Sequence, residues 1–484
     1  MEATISSSPA RASPDLAILR SRLPYVNYDS SVLRPDNHAH PHQPSCSAPW
    51  RTLKPIYGSR HIYDVAEFSL WCEDTAEFKL PTPVQANWVM TYYRAKEVRF
   101  EYPVITVVTD TPPNPLTLTI AGVAARFVSD TRLNTCFSVD TAYASPRVPD
   151  PVPVQLQKWL APTKSESDLI LASLAPLCNV KGISWYGIYC YVELHTGDGR
   201  SYERHSLPGR VAGKTTTYHH SESDFWDEMQ SRVLSRRIQR WPSETRPDLQ
   251  DRTDYLLEGS GVLRPGVCIA NSLHPDGTTS ADSEQTTSCG IRMRHQNGQV
   301  VVTVSNHGVK HCRDVYHPST VGGSKIGEVV DRWETQDVAM VNLMPGVHFS
   351  NNEYFQATAP KHLVKSDHIL NGTWCSCDGI STGLIFLQCH GARISDINMG
   401  VTGGIQPEKI TYRMEKLYSS FGPLDGTLSD GICGAPIVKE GDLDGPGGVC
   451  GLFRFGNKEF ALSPVLDNII DAGWALYDRR DNHL

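Results

Sequence analysis

From about residue 262 onward, short apolar segments alternate at regular spacing with turns rich in Gly, Asn and Asp. This pattern is typical of β-barrels, in which short strands follow one another through tight turns. The clearest hairpin joins residues 288–295 to residues 299–304 through Asn297-Gly298, a dipeptide that favours a two-residue turn. The end of the chain differs, because residues 464–477 carry apolar side chains at helical spacing and predict a closing helix packed on the barrels.

Three residues with catalytic chemistry stand at the ends of these strands or in the turns. His307 follows the apolar run 300–304, Asp337 opens the run 338–341, and Cys433 lies in the glycine-flanked loop 431–436. A nucleophile flanked by glycines projects freely, and backbone N–H groups can converge near it because no Cβ atoms block them. The three residues together predict a Cys-His-Asp catalytic triad.

The order His, Asp, nucleophile is that of the chymotrypsin group, whereas subtilisins and α/β-hydrolases use other orders. Five segments of this chain resemble the trypsin-like peptidase family: its histidine loop, its aspartate strand, the start of its second barrel, its nucleophile loop and its pocket-lining strand, at residues 305–308, 337–341, 378–384, 431–436 and 448–453. The pattern is similar to trypsin-like domains of intracellular fungal proteins, and the cysteine nucleophile is similar to that of viral 3C-like proteases. The resemblance covers about residues 262–476 and implies a C-terminal chymotrypsin-like double β-barrel.

Acyl transfer assigns each residue a role. Cys433 would attack a carbonyl carbon as the thiolate, and His307 would accept the thiol proton and later protonate the leaving amine. Asp337 would orient the imidazole, and the backbone N–H groups of Gly431 and Cys433 would bind the oxyanion, on the order of 3 kcal/mol per donor. The predicted function is therefore that of an endopeptidase. The alternative is a catalytically inactive protease-like fold that serves as a binding or scaffolding module.

Departures from the family pattern bear on activation and specificity. Ile432 stands where serine proteases of the family usually carry an aspartate that pairs with a freshly cleaved N-terminus, so activation by zymogen cleavage is not expected. Thr427 stands where enzymes specific for basic residues hold a carboxylate. The resemblance implies a substrate pocket with a mainly apolar wall and a preference for uncharged P1 side chains, formed by Thr427, Val449, Cys450 and Gly451.

A structural zinc ion is a competing interpretation of four residues in the second predicted barrel. Some viral proteases of this fold hold zinc with a C-x-C pair plus a Cys and a His, and Cys375, Cys377, Cys389 and His390 could supply such a set. Cys389 and His390 are adjacent, however, and neighbouring residues of a strand point to opposite faces. Ordinary cysteines of a β-rich core are the favoured interpretation, and we expect no metal and no cofactor.

Composition limits the remaining function classes. The chain has 484 residues, 40% of them apolar and 20% charged, which is typical of a globular protein with two or more domains. The net charge of -8 is spread along the chain and gives no electrostatic reason to expect nucleic acid or an anionic membrane as a partner. The 13 scattered cysteines do not suggest a disulfide framework, and neither a signal peptide nor a membrane-spanning run is recognisable. We expect a cytoplasmic protein that acts on protein or peptide substrates.

Three regions are expected along the chain. Residues 1–50 are rich in Ser, Pro, His and Asn and predict a flexible tail. Residues 51–260 predict a strand-rich α+β domain of unknown role, with a helix over residues 221–240. Residues 262–484 would form the trypsin-like peptidase domain with its C-terminal helix. The predicted fold class is mostly β with some α.

Overall fold

The computed structural model describes residues 54–114, 116–129, 143–195, 201–220, 255, 261–274, 284–310, 312–380, 382–398, 410–421, 431–441, 445–456 and 460–477. The chain divides into two compact units, one within residues 57–140 and the other containing residues 141–484. The predicted tail over residues 1–50 and the predicted helix over residues 221–240 lie outside the described residues.

The first unit is a small α+β structure with a four-stranded sheet in the order β3-β4-β6-β5. Its helix begins at a capping box in which Thr82 and Gln85 exchange hydrogen bonds, with a proline at the first helical position. Strand β4, Val104–Val108, lies inside this sheet and is buried along its whole length, which explains its run of β-branched residues. The elements are β1 Trp71–Cys72, β2 Glu77–Phe78, α1 Pro83–Tyr92, β3 Glu97–Glu101, β4 Val104–Val108, β5 Thr119–Ile120 and β6 Val123–Val128.

The second unit opens with a helix and short strands that precede the barrels. The helix α2 begins at Thr163, whose side chain accepts from the Glu166 backbone while the Glu166 carboxylate accepts from Thr163. The aromatic residues 185–194 are divided between two strands, because Gly187 turns the chain with a positive φ of 54°. The elements are β7 Ala144–Ser145, α2 Lys164–Leu174, β8 Val180–Tyr186, β9 Tyr189–Leu194, β10 Leu207–Pro208, β11 Arg210–Val211 and β12 Lys214–His220.

The first barrel is closed. Six strands follow one another in the order β14-β17-β18-β19-β16-β15, and an additional β14–β15 pairing completes the ring. The predicted hairpin is confirmed, with Gly298 at a φ of 92° in the turn between β15 and β16. The strands of this region are β13 Val262–Leu263, β14 Cys268–Ser272, β15 Glu284–His295, β16 Val300–Ser305, β17 Asp314–His317, β18 Ser324–Trp333, β19 Val338–Leu343 and β20 His348–Phe349.

The second barrel is built on antiparallel pairings that run β26-β25-β22-β23-β24-β28. With the first barrel, this arrangement confirms the predicted fold class, a mostly β protein with a chymotrypsin-like double barrel in its C-terminal half. The elements are β21 His362–Leu363, β22 Trp374–Cys377, β23 Ile385–Asn398, β24 Thr411–Phe421, β25 Pro436–Lys439, β26 Gly448–Leu452, β27 Phe455–Gly456, β28 Phe460–Pro464, α3 Asp467–Asp471 and β29 Trp474–Leu476.

The division between the units differs from the domain boundary expected near residue 260. Strand β8 pairs with β23 of the second barrel, with Ile183 opposite Ile394, and β9 and β12 extend the same sheet. Strands β8, β9, β11 and β12 thus share a sheet with the second barrel, and Ile183 and Val192 pack in one buried cluster with Ile394 of β23. Pairing between strands so distant in sequence leaves no local sequence pattern that could be recognised. The boundary near residue 260 was therefore expected from composition alone.

The prediction of a closing helix over residues 464–477 is wrong in its extent, because most of this segment is not helical. Pro464 ends β28, the helix α3 is only five residues long, and Gly473 ends it with a φ of 93°. The chain then forms β29, which pairs with β15 through Trp474 opposite His295. Ile469 and Trp474 are both buried in one apolar cluster, so the helical spacing of apolar residues reflects a short helix and a strand that share a core.

The two barrels have different interiors. The interior of the first barrel is mostly aliphatic and includes Val302 and Val304 of β16. Val301 of the same strand packs instead in a cluster that also contains Val449 of the second barrel. The interior of the second barrel contains five cysteines: Cys375, Cys377, Cys389, Cys433 and Cys450. In the part of the chain that the structure describes, no helix combines the length and apolar character needed to cross a membrane.

Candidate active site

His307 and Asp337 are brought together by the register of two neighbouring strands. Strands β16 and β19 are antiparallel, with Ser305 opposite Val338. His307 follows the end of β16 and Asp337 immediately precedes β19, so both lie at the same edge of the first barrel. The backbone N–H of Asn306 donates to the Asp337 carbonyl at 2.9 Å and extends the ladder by one step. The site therefore follows directly from strand pairing.

Both carboxylate oxygens of Asp337 bind the histidine. Oδ2 lies 2.6 Å from His307 Nδ1, and Oδ1 accepts from the His307 backbone N–H at 3.0 Å. Ser305 Oγ also lies 3.4 Å from Oδ2 and 2.8 Å from His307 Nδ1. Asp337 has a φ of 54°, in the left-handed region that aspartate tolerates better than most residues. With its Nδ1 held by the carboxylate, the ring has its Nε2 left for a second partner.

The loop that carries His307 is also held by Arg332 of strand β18. Arg332 Nη1 donates to the Asn306 side-chain oxygen at 2.7 Å, and its Nη2 donates to the Val309 carbonyl at 2.8 Å. These two bonds span the short 3₁₀ turn His307–Val309. The position of the imidazole is therefore held on both sides by polar contacts of the first barrel.

Cys433 lies in a loop that is attached to β15 of the first barrel. The backbone N–H of Ser288 donates to the Cys433 carbonyl at 2.9 Å, and Ser288 Oγ donates to the Gly431 carbonyl at 2.8 Å. Thr287 Oγ1 also donates to the Cys433 carbonyl. These contacts hold the carbonyls of Gly431 and Cys433, which flank the peptide that carries the Cys433 N–H, one of the two groups predicted to supply the oxyanion hole.

Gly434 is required by both conformation and space. Its φ is 92°, which disfavours any residue with a β-carbon, and a Cβ placed there would lie 2.3 Å from the Ser288 carbonyl oxygen. Its backbone N–H donates to the Phe453 carbonyl at 2.8 Å. The glycine thus permits the loop to pack between β15 and the segment that follows β26.

The Cys433 thiol and the His307 ring lie close enough to interact electrostatically. Although burial favours the neutral imidazole, the Asp337 carboxylate and Cys433 raise the pKa of His307 to about 10. Burial likewise opposes ionisation of Asp337, but the charges of His307 and Arg454 lower the pKa of that carboxyl group. The structure brings all three predicted triad residues together, in surroundings that favour a protonated imidazole beside an ionised carboxylate.

The predicted pocket residues are placed differently from the expectation. The side chains of Val449 and Cys450 are fully buried in apolar clusters. A Cβ on Gly451 would lie 2.0 Å from Ser463 Oγ, so strand β28 fills the room expected there. Thr427, the fourth predicted pocket residue, lies outside the described residues.

The wall beside the triad is formed by Arg454 and Phe455, which the sequence interpretation missed. Cys433 Sγ lies 3.0 Å from the Arg454 carbonyl oxygen, to which it donates, and the Phe455 ring stacks on the His307 ring with centroids 6.0 Å apart and an interplanar angle of 9°. The half-buried Arg454 and Phe455 follow directly after the resembling segment 448–453. The one sequence feature that could have indicated these two residues was their position shortly after β26.

The four candidate zinc ligands do not form a cluster. Cys375 Sγ lies 3.9 Å from Cys450 Sγ, Cys377 Sγ lies 3.7 Å from Tyr354 Oη, and the buried His390 ring packs edge-on against Tyr186. Among the described residues, no group of three or more His, Cys, Asp or Glu side chains is arranged to hold a metal ion. Each of the four candidates has its own contacts within the β-rich core.

No family model matches the chain, and no curated protein sequence is similar to it. Among solved structures, Thermobifida fusca protease A is 10% identical, with 43% of this chain and 95% of that chain covered and a TM-score of 0.28. A glutamic-acid-specific serine protease is 13% identical, with 44% and 100% covered and a TM-score of 0.28. The serine protease of human pathogenic astrovirus is 15% identical, with 46% and 96% covered and a TM-score of 0.23. All three similarities cover less than half of this chain.

Proposed function

We propose that this protein is an endopeptidase of chymotrypsin-like fold that cleaves peptide bonds with Cys433, His307 and Asp337. The observation that carries the proposal is that one imidazole, that of His307, is hydrogen-bonded to the Asp337 carboxylate and also interacts with the Cys433 thiol. The residues come from both barrels and from three separate loops. A merely structural histidine does not need a carboxylate on one nitrogen and a thiol at the same ring.

In the proposed reaction, the proton of Cys433 already lies on His307 in a thiolate–imidazolium pair, and the thiolate attacks the substrate carbonyl carbon. The backbone N–H groups of Gly431 and Cys433 stabilise the tetrahedral oxyanion. His307 then gives its proton to the leaving amine as the C–N bond breaks, which leaves a thioester on Cys433. A water molecule, deprotonated by His307, hydrolyses the thioester and releases the second product with the thiol restored.

We further propose that the enzyme works inside the cell on protein or peptide substrates, without a cofactor. All 11 cysteines that the structure describes are free thiols, and most are buried. Free thiols in this number suit a reducing compartment, where a thiolate nucleophile also stays unblocked. The preference for uncharged P1 side chains remains part of this proposal. One observation supports this preference. The charge of Arg454, in the wall beside the triad, is already paired with Glu415 at 2.6 Å.

Alkylation with iodoacetamide at neutral pH, followed by peptide mapping, tests the proposal. Cys433 is expected to react first and to react much more slowly in the His307→Ala variant. Cys389 provides an internal reference, because burial raises the pKa of its thiol to about 11. If Cys433 is alkylated no faster than Cys389 and no peptide is cleaved, the alternative function as a catalytically inactive binding or scaffolding module is favoured.

A further inference from the structure

A second buried ion pair lies directly behind the triad carboxylate. Arg454 Nη1 lies 2.6 Å from Glu415 Oε1, and the side chains are 14% and 0% exposed. Arg454 Nε lies 3.7 Å from Asp337 Oδ2, the oxygen that binds the His307 ring. Four charged or titratable groups thus form one line: His307, Asp337, Arg454 and Glu415.

Arg454 contacts the site in three ways. Its backbone carbonyl accepts from the Cys433 thiol at 3.0 Å, and its guanidinium carbon lies 4.0 Å from the centroid of the Phe455 ring, which stacks on His307. The third contact is the ion pair with Asp337. The Arg454 side chain therefore contacts Asp337 directly and His307 through Phe455, whereas its backbone contacts Cys433.

The pair is poorly arranged for stability alone. Within the part of the chain that the structure describes, Arg454 Nε and Glu415 Oε2 are buried without a hydrogen-bond partner. A buried ion pair offsets the cost of removing its charges from water only when the remaining polar atoms are also satisfied. An incompletely satisfied pair beside a functional carboxylate indicates that its charge has a use at the site.

We propose that Arg454 and Glu415 are a positioning pair for the triad, in which Arg454 fixes the orientation and the negative charge of Asp337 and Glu415 holds and neutralises Arg454. The inference rests on the triad proposed above. Arg454 touches neither the scissile bond nor the oxyanion in this scheme. It acts through Asp337, and hence on the proton affinity of His307.

The charged groups around His307 determine the direction of this effect. Asp337 and Cys433 raise the pKa of His307, whereas the positive charge of Arg454, paired with Asp337, offsets part of the negative charge beside the ring. Arg413 adds a more distant positive charge, engaged with Asp396 at 2.8 Å and with the carbonyls of Glu334 and Thr335. Removal of the Glu415 charge should lower the pKa of His307, and removal of the Arg454 charge should raise it.

The experiment measures the pKa of His307 by NMR titration of the ring Cε1–H signal, together with the pH dependence of Cys433 alkylation by iodoacetamide. Glu415→Gln is expected to lower the His307 pKa and Arg454→Met to raise it. In the double variant Arg454→Met/Glu415→Gln the pKa should lie between those of the single variants. Displacement of the triad should also slow Cys433 alkylation up to about a hundredfold in Arg454→Met, and Arg454→Lys should restore part of the rate.

A matched control is a second buried pair of the same kind, Arg393–Glu193, at 3.0 Å between β23 and β9. Glu193→Gln should leave the titration of His307 unchanged. If one single variant fails to fold, the other still tests the sign of its own effect. The inference is overturned if Glu415→Gln does not lower the His307 pKa, or if Arg454→Met does not raise it. The NMR titration needs no substrate, so it stays informative even if the wild-type protein cleaves no peptide and the proposed function fails.

Discussion

The two barrels hold their parts of the triad by different means. In the first barrel, His307 and Asp337 are fixed by the β16–β19 ladder, in which Ser305 pairs with Val338. In the second barrel, Cys433 lies in a loop that is held by a few hydrogen bonds from β15 and by the left-handed conformation of Gly434. The positions of His307 and Asp337 thus follow from strand register, whereas that of Cys433, the proposed nucleophile, depends on loop contacts between the barrels.

This difference predicts how each part responds to substitution. A residue held by a ladder keeps its place when its side chain changes, because the backbone pairing is untouched. A loop held by a few contacts moves when one of them is lost. Side-chain changes in the first barrel should therefore report on chemistry alone, and backbone changes in the nucleophile loop should report on stability as well.

The largest effect is expected from Cys433→Ala, which removes the proposed nucleophile. Peptide hydrolysis should fall by about 10⁵-fold or more, the scale on which loss of a nucleophile abolishes catalysis. The measurement is kcat/KM on a fluorogenic peptide selected from a library. Cys375→Ala, in the same core, is the control and should retain activity. Equal losses in both variants would show that the core, and not the thiol, limits activity.

Asp337→Asn should have the next largest effect, a loss of about 10³ to 10⁴-fold in kcat/KM. Asparagine tolerates the left-handed φ of 54° at this position, so the substitution removes the charge without a backbone conflict. Loss of the carboxylate should also lower the pKa of His307 from about 10, because Asp337 is what raises it against burial. An unchanged pKa in an NMR titration of this variant would contradict the role given to Asp337.

The same comparison explains which parts of the molecule the sequence could predict. His307 and Asp337 were recognisable because each adjoins an apolar run that became a strand, and Cys433 because its glycines mark a forced conformation. Arg454 and Phe455 carry no such mark, since their importance comes from the fold of β26 against the nucleophile loop. The addition of β8 to β23 was also hidden, because the pairing of Ile183 with Ile394 is nonlocal.

Two glycines separate the cost of conformation from the cost of space in the nucleophile loop. Gly434 and Gly298 share a φ of 92°, but a Cβ on Gly434 would lie 2.3 Å from the Ser288 carbonyl oxygen, whereas no atom lies within 4 Å of one on Gly298. Gly298→Ala should destabilise the fold by about 1 kcal/mol and Gly434→Ala by about 3 kcal/mol or more. Denaturant unfolding measures both, and equal losses would mean that the loop can shift away from β15 without cost.

The smallest expected effect is on the pH dependence of stability. Asp337 and Cys433 raise the pKa of His307 from its ordinary value of 6.5 to about 10, so the folded protein binds this proton more tightly than the unfolded chain does. The resulting stabilisation is fully present below about pH 6.5 and is lost as the pH rises through about 10. The difference in unfolding free energy between the wild type and His307→Gln should therefore shrink by at least about 1 kcal/mol between pH 6 and pH 10. His348→Gln, at an exposed histidine, controls for general effects of high pH. A difference between wild type and His307→Gln that stays constant with pH would show that the ring is not held as the imidazolium in the folded protein.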